Sequence, residues 1–383
     1  MNEFRQYMPV DIHFGNGRMN DASLFNLPYH KALIVTGREA LEGSQHAFNT
    51  LLKNLEANHI KYIIEDSVSH PLVKSEIVDA TVRANDFNCD FVIAFGGGKA
   101  LDAGKLVARF ANEDITLLDA WMKSREVPPF DYDPMFLLSV PTSFNNASAL
   151  NPKAFLYDLQ NQRQIRLKHQ SLFPKMALID PLIASTLPFD KRFDAIVDAF
   201  IRSIELIVSD RSIMHTTQAE LTLNLIVRNA AGLNKKHPDE SVLHALSYAL
   251  MNLNRLYMPK PWFPLQQISD AIEGYHETLP HASFISMAAL HYLPHRLINA
   301  SDENMARIRD AFRGTPFESN NVAVAIDNFF RSLGNGPIDF RPYGLELALV
   351  SDYMVHLKTI YPDFEALGND TLYEIIERTL IKE

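Results

Sequence analysis

Three consecutive glycines and a lysine, Gly96-Gly97-Gly98-Lys99, follow the apolar run Asp90–Phe95 and open a stretch, Lys99–Phe110, that reads as a helix. Glycines let a backbone approach a phosphate with no Cβ in the way. The free N–H groups and positive end of the helix then bind the anion, and Lys99 adds a point charge. A nucleotide's pyrophosphate is the ligand this unit suits, with a ligand-free glycine turn as the plain alternative. The pattern is neither Walker A nor G-x-G-x-x-G, so it does not name the nucleotide. A second polar set lies at Asp194, Asp198, Arg202, Glu205 and Ser209. On a helix these fall within about 80° of one another, with Phe193, Val197, Phe200, Ile204, Ile207 and Val208 on the far side. So narrow a seam suits a buried helix facing a cleft, where carboxylates and a guanidinium can do acid–base or electrostatic work. An exposed Asp198–Arg202–Glu205 ladder is the alternative. His291 and His295 have the i, i+4 spacing of a metal pair, but they sit beside apolar residues where helix histidines are commonly structural.

These residues need elements to position them. Lys31–Thr36, Tyr62–Ile64, Asp90–Phe95, Met135–Val140 and Met176–Ile179 read as short buried strands, with helical stretches at 43–58, 72–88 and 99–110 between them. Strands alternating with helices predict a mostly parallel sheet. Beyond Asp180-Pro181 the texture becomes helical: 189–209, 216–233, 240–256, 281–297, 303–312, 320–333, 344–355 and 370–382 carry helical periodicity, punctuated by prolines. The expected organisation is an α/β nucleotide-binding domain over residues 1–183, an all-α domain over 184–383 and an active-site cleft between them.

Composition bounds the function. Hydrophobic residues make up 47% and charged residues 21% of the chain, the range of ordinary globular proteins. A net charge of −10 disfavours nucleic acid and anionic membrane as partners. No apolar run is long enough to span a bilayer, the start lacks a secretory pattern, and Cys89 is the sole cysteine, so no internal disulfide or cysteine-based zinc site is available. The expectation is a cytoplasmic protein.

The segment GGGK-xx-D-xx-K resembles the phosphate loop of iron-dependent alcohol dehydrogenases and glycerol dehydrogenases. Further segments fall in that superfamily's order: IHFGNG (12–17), VSHP (68–71), VPTSFNNAS (140–148), PKMALIDPLIASTLP (174–188) and LPHASF (279–284). The resemblance implies a dehydroquinate synthase-like fold in which Gly96, Gly97, Gly98, Lys99 and Asp102 hold the pyrophosphate region, Thr142 and Ser143 line the nicotinamide side, and His70 lies near the ribose. Where the family often has a ribose-binding aspartate, this chain has Gly37 followed by Arg38. Loss of the acid and gain of a guanidinium favour NADP, with NAD possible. The alternative is that Gly37 makes the turn and Arg38 faces solvent.

The family holds a divalent metal through an aspartate and three histidines. Aligned here, the aspartate is Asp198 and the last histidine His281, while Arg202 and Gln267 stand at the other two positions and Ala271 at a nearby helper histidine. A guanidinium stays protonated and cannot ligate, so iron or zinc is not expected, and Asp198 is expected to pair with Arg202. The resemblance implies an NAD(P)-dependent oxidoreductase acting on an alcohol or polyol and its aldehyde or ketone. In it Arg202 would stabilise the developing alkoxide, held by Asp198, and His281 would give or take the proton. Homo-oligomerisation is expected from the family. The alternative function is a non-catalytic nicotinamide-nucleotide-binding protein on the same scaffold.

Overall fold

In the computed structural model the described residues are 6–380, except 70, 125, 161–162, 210–211, 257–262, 277–278, 280, 335–339, 362–363 and 365–368. They form two compact units. One is Tyr7–Pro188 with Asp239–Ser247; the other is built from Phe189–Pro238 and the chain from Tyr248 onward.

The first unit holds eight strands: β1 Asp11–Phe14, β2 Lys31–Val35, β3 Lys61–Glu65, β4 Phe91–Gly96, β5 Phe136–Pro141, β6 Lys153–Asp158, β7 Arg163–Lys168 and β8 Met176–Ile179. Six of them make a parallel sheet in the order β1-β8-β5-β4-β2-β3. Strands buried on both faces need continuous apolar sequence, and VIAF within β4 and ALIV within β2 supply it with no exposed residue. Around the sheet lie α1 Arg38–Gly43, α2 Gln45–Ala57, α3 Lys74–Phe87, α4 Gly98–Phe110 and α5 Thr116–Ser124. On one face Ala32, Ile34, Phe91, Ile93, Phe95, Leu138 and Val140 pack with Phe48, Leu51 and Leu55 of α2. The other face meets α4, where Gly104 lies against Ala94 and Leu137.

From β2 the chain moves outward to β3, then returns to the opposite side of β2 as β4 and continues toward β5. The loops after β2 and β4 therefore diverge, which creates the crevice at the carboxyl ends of parallel strands where nucleotides bind in open α/β sheets. At the far side of the sheet Asp180 ties the end of β8 to the turn after β1, accepting from the N–H groups of Gly17 and Met19 at 3.0 Å each.

The remaining helices are α6 Asp194–Val208, α7 Ile213–Asn229, α8 Glu240–Asn254, α9 Pro264–Glu273, α10 His281–Leu297, α11 Asp302–Phe312, α12 Val322–Ser332, α13 Val350–Ile360 and α14 Asn369–Leu380. Their starts follow capping chemistry: Ser212, Ser301 and Asn321 each accept a first-turn N–H, and Pro264 opens α9. In the second unit α6 packs on α7, α10 and α11, and α10 on α9, α12 and α14. Phe200 of α6 stacks on Phe329 with centroids 4.7 Å apart and meets Phe312 and Phe330 edge-on. No strand follows β8 among the described residues, and none of their helices is long and apolar enough to cross a membrane.

Several elements differ from the sequence reading. The short α1 and the helices α5 and α9 were not expected, and residues 153–168 form an antiparallel hairpin, β6–β7, outside the main sheet.

The contact between α4 and β4 has no slack. A Cβ on Gly104 would lie 2.5 Å from Ala94 Cβ and 3.4 Å from Ala94 Cα. Alanine is the better helix former by about 1 kcal/mol, yet Gly104→Ala should destabilise the protein by about 1–3 kcal/mol because the helix must lift from the strand. Urea denaturation reads this; an unchanged or raised midpoint would show that the interface yields.

Candidate active site

Two groups of polar residues stand apart from the apolar cores, one in each unit. In the α/β unit, β4 ends at Gly96, which has φ +152° and whose added Cβ would lie 2.7 Å from Ala100 Cβ. Gly96 is thus glycine for the fold's own sake. Gly97 and Gly98 are different. Neither has positive φ, and a Cβ on either would meet nothing within 4 Å. The protein's packing does not require glycine there, so the open surface is room for something else. Leu101 N–H bonds to Gly97 O, and the amides before it have no carbonyl of their own helix to bond. Lys99 is half-exposed beside them. Across the register Gly96↔Pro141, Thr142 donates its N–H to Gly96 O at 3.0 Å, which brings Thr142 and half-buried Ser143 to the same edge.

After β2, Gly37 caps α1 in extended conformation, and a Cβ on it would lie 2.9 Å from Val68 O. Close backbone approach accounts for this glycine. Arg38, the first residue of α1, is exposed. Ala40 of α1 would lie 3.4 Å from a Cβ on Gly96, so α1 borders the glycine loop. His70 lies outside the described residues.

Asp102 is buried, and both its oxygens are taken up inside the unit. Oδ1 accepts from Ser148 Oγ and pairs with Lys105 Nζ at 3.4 Å, and Oδ2 accepts from Phe155 N at 3.1 Å. Asp102 therefore acts on the loop through the seating of α4 and not by a free carboxylate. Lys105, the last residue of the motif, also reaches Ser148 Oγ and Lys153 O at 2.6 Å each and Asn151 Oδ1 at 3.3 Å. Burial pulls its ammonium down to about 8.

In the helical unit the polar seam of α6 faces α9 and α10. His281, at the start of α10, is central. Its Nδ1 is 2.5 Å from Glu273 Oε1, and its Nε2 is 2.9 Å from Asp198 Oδ1. The Asp198 contact is an ion pair off the hydrogen-bond line, for Oδ1 has no hydrogen bond among the described residues. Burial opposes charge on the ring, but the two carboxylates outweigh it and hold His281 well above the ordinary histidine range. Ser269, fully buried, donates to the same Glu273 oxygen. Asp194 completes the group, accepting from Ala282 N at 3.2 Å; burial raises its carboxyl. Asp270, raised by burial, accepts from Tyr361 Oη and from Gln266 Nε2 at 3.0 Å.

The structure corrects the expected pairing. Asp198 is matched with His281, not Arg202, and the Asp198–Arg202–Glu205 ladder does not form among the described residues. Arg202 instead donates Nη1–H to Asn254 Oδ1 at 2.8 Å, with its guanidinium 4.9 Å from the centre of the Phe263 ring. The pair that shares the surroundings of His281 is Asp194 and Asp198, one turn earlier on α6 than the Asp198–Arg202 pair read from the sequence. Gln267 and Ala271 are buried on α9. His291 is half-buried and His295 exposed. Among the described residues no group of three or more His, Cys, Asp or Glu side chains is disposed to hold a metal ion.

Further along the seam, Glu205 is fully buried and accepts from Tyr292 Oη at 2.6 Å. Burial pushes its carboxyl up to about 7 against the hydrogen bond from Tyr292 and the charges of Arg296 and Arg202.

Residues 9–181 match the iron-containing alcohol dehydrogenase family. The probable alcohol dehydrogenase EutG of Salmonella typhimurium is 28% identical over 131 residues, 34% of this chain and 32% of EutG. The NADPH-dependent butanol dehydrogenase of Clostridium saccharobutylicum is 27% identical over 206 residues, 53% and 51% of the two chains. The chain thus spans about a third of the first of these relatives and half of the second. The NADPH-dependent aldehyde reductase YqhD of Escherichia coli is 26% identical over 371 residues, 90% of each chain. Among solved structures, a 1,3-propanediol oxidoreductase superposes with TM-score 0.84 at 18% identity, covering 98% of this chain and 100% of its own. NADH-dependent butanol dehydrogenase A of Thermotoga maritima does so at 0.81 and 18%, covering 99% of each. The fold is that of the iron-containing alcohol dehydrogenase family's enzymes: a parallel sheet with its helices, followed by a mostly helical region.

Glu205 gives a pH signature. An acid raised in the folded state binds its proton there before the unfolded chain does, so the contribution of Glu205 to stability is full below about 4.5 and is lost as pH rises through about 7. Glu205→Gln keeps an acceptor for Tyr292 without the charge. It should be more stable than the parent at pH 8 by roughly 1–3 kcal/mol and should flatten that window. Identical pH–stability curves for the two proteins would refute the assignment.

Proposed function

We propose that this protein is an NAD(P)-dependent oxidoreductase that interconverts an alcohol or polyol with its aldehyde or ketone and works without a divalent metal. The observation that carries the nucleotide part is the open cradle at Gly97 and Gly98, where glycine has no packing reason and amides stand unbonded at the switch point of a parallel sheet. Gly97, Gly98 and Lys99 would hold the pyrophosphate, and Thr142 and Ser143 the nicotinamide side. Arg38, exposed at the start of α1, would take a 2′-phosphate, which favours NADP. The packing of Gly37 against Val68 explains the missing acid on its own, so the preference rests on Arg38. YqhD, similar over nine-tenths of the chain, is by name an NADPH-dependent aldehyde reductase, which supports the same reading.

When bound, the nicotinamide supplies or accepts the hydride. The chain's part is the proton and the charge. His281 gives its Nε2 proton to the carbonyl oxygen during reduction and takes it back during oxidation. Asp198 offsets the charge of the ring, and Arg202 is a fixed positive charge for negative charge on the substrate. The residues around His281 fit a divalent cation poorly. Each ring nitrogen faces a carboxylate, a neutral amide stands at Gln267, and a guanidinium lies one turn along α6.

Two measurements test this. Gly97→Val should abolish NADPH and NADH binding in calorimetric titration while the fold persists, and the parent should bind NADPH more tightly than NADH. Equal binding by parent and variant would end the cradle argument. Purified protein should carry well under one equivalent of iron or zinc, and turnover on a panel of alcohols and aldehydes should survive chelation. One tightly held metal per chain would overturn the metal-free reading, and cofactor binding with no turnover on any panel member would favour a non-catalytic binding protein.

A further inference from the structure

A histidine that gives up a proton must keep the other one in a defined place. If Nε2 is the nitrogen that serves the substrate, the neutral ring left behind must be the Nδ1–H tautomer, and something must select it and stop the ring from turning. Nothing on α6 or α10 does so. The group that can is on α9, where Glu273 Oε1 lies 2.5 Å from Nδ1. That carboxylate is itself held: buried Ser269, one turn earlier on α9, donates its hydroxyl to the same oxygen and comes within 3.4 Å of Nδ1. Two groups thus converge on one side of the ring. On the other side Nε2 lies 2.9 Å from Asp198 Oδ1, close in distance but off the hydrogen-bond line, so Nε2–H is not committed to a hydrogen bond with that oxygen.

We propose that Glu273, seated by Ser269, is a positioning residue that fixes the orientation and tautomer of His281 so that Nε2 is the nitrogen presented to substrate. This rests on the oxidoreductase reading above and adds to it a residue from a helix that reading did not use. The proton balance is closed. In reduction the Nε2–H bond breaks and an O–H bond forms on the substrate, hydride goes to carbon, and the ring remains Nδ1–H bonded to Glu273. Oxidation runs the same steps in reverse.

The experiment uses the full chain with three variants, Glu273→Gln, Glu273→Asp and Ser269→Ala. In 15N-edited NMR of the parent the His281 Nδ1–H should appear as a downfield, slowly exchanging resonance. It should vanish in Glu273→Gln, whose amide has no anionic acceptor, and return in Glu273→Asp. Steady-state kinetics should show Glu273→Gln losing at least tenfold in kcat with KM changed less than threefold. Glu273→Asp should recover part of the loss and Ser269→Ala should fall between, with NADPH affinity unaltered in all three. A parent lacking the resonance, or Glu273→Gln turning over at the parental kcat, would overturn the assignment. The NMR signal is read without turnover, so a parent that consumes no alcohol or carbonyl yet shows the Glu273-dependent resonance sinks the oxidoreductase reading and upholds the tautomer assignment.

Discussion

The glycine-loop edge of the sheet depends on one short-range constraint: at Gly104, α4 lies directly on β4. Gly104 touches Ala94, and Gly96 turns the chain at a φ that places Ala100 directly under the strand end. Close contact at both points fixes where the first turn of α4 begins, and with it the direction of the unbonded amides. A helix held farther off by even one methyl group would carry those amides away from the crevice between the loops after β2 and β4. The buried Asp102–Lys105 pair on the same helix then locks the β6–β7 hairpin and the turn at Ser148 to this seating. Strand, loop, helix and hairpin form one mechanical piece.

The helical unit solves a different problem, that of keeping several acids in a small volume. Asp194, Asp198, Asp270, Glu273 and Glu205 lie on two helices, and a buried polar group left without a partner is costly. Partners relieve this one by one: the His281 ring serves Asp198 and Glu273, the Ala282 amide serves Asp194, and phenols serve Asp270 and Glu205. Each of these partners lies outside the helix that carries its acid, so the polar contacts also cross-link the bundle.

How much of this was legible in the sequence depends on how local the signal is. β4, the glycine loop and α4 could be read directly, since apolar run, glycines and helix are contiguous, and α10 begins at His281 as its periodicity predicts. The hairpin was missed although Ala154 and Leu156, then Ile165 and Leu167, alternate as half-buried strands do. The helix α9 was missed too, though Pro264 at its first position and Leu265, Ile268, Ala271 and Ile272 on one face signal it. With α9 went Ser269 and Glu273. The register on α6 was the harder problem. Asp194, Asp198 and Arg202 are equally spaced, and one helix's periodicity cannot say which two of them face a histidine many residues away; only the packing of α10 on α6 decides it.

The segment between β5 and β6 is held at both ends, by Thr142 on Gly96 and by Ser148 and Asn151 on Lys105. Between these anchors Asn145 is exposed and Ser143 half-exposed. Phe144 and Asn146 are buried, so a span clamped in this way tolerates change at 143 and 145 at little cost to folding. In evolutionary terms these two positions are where a lineage can explore new surface chemistry beside an unchanged glycine loop, since drift at them is decoupled from the survival of the fold.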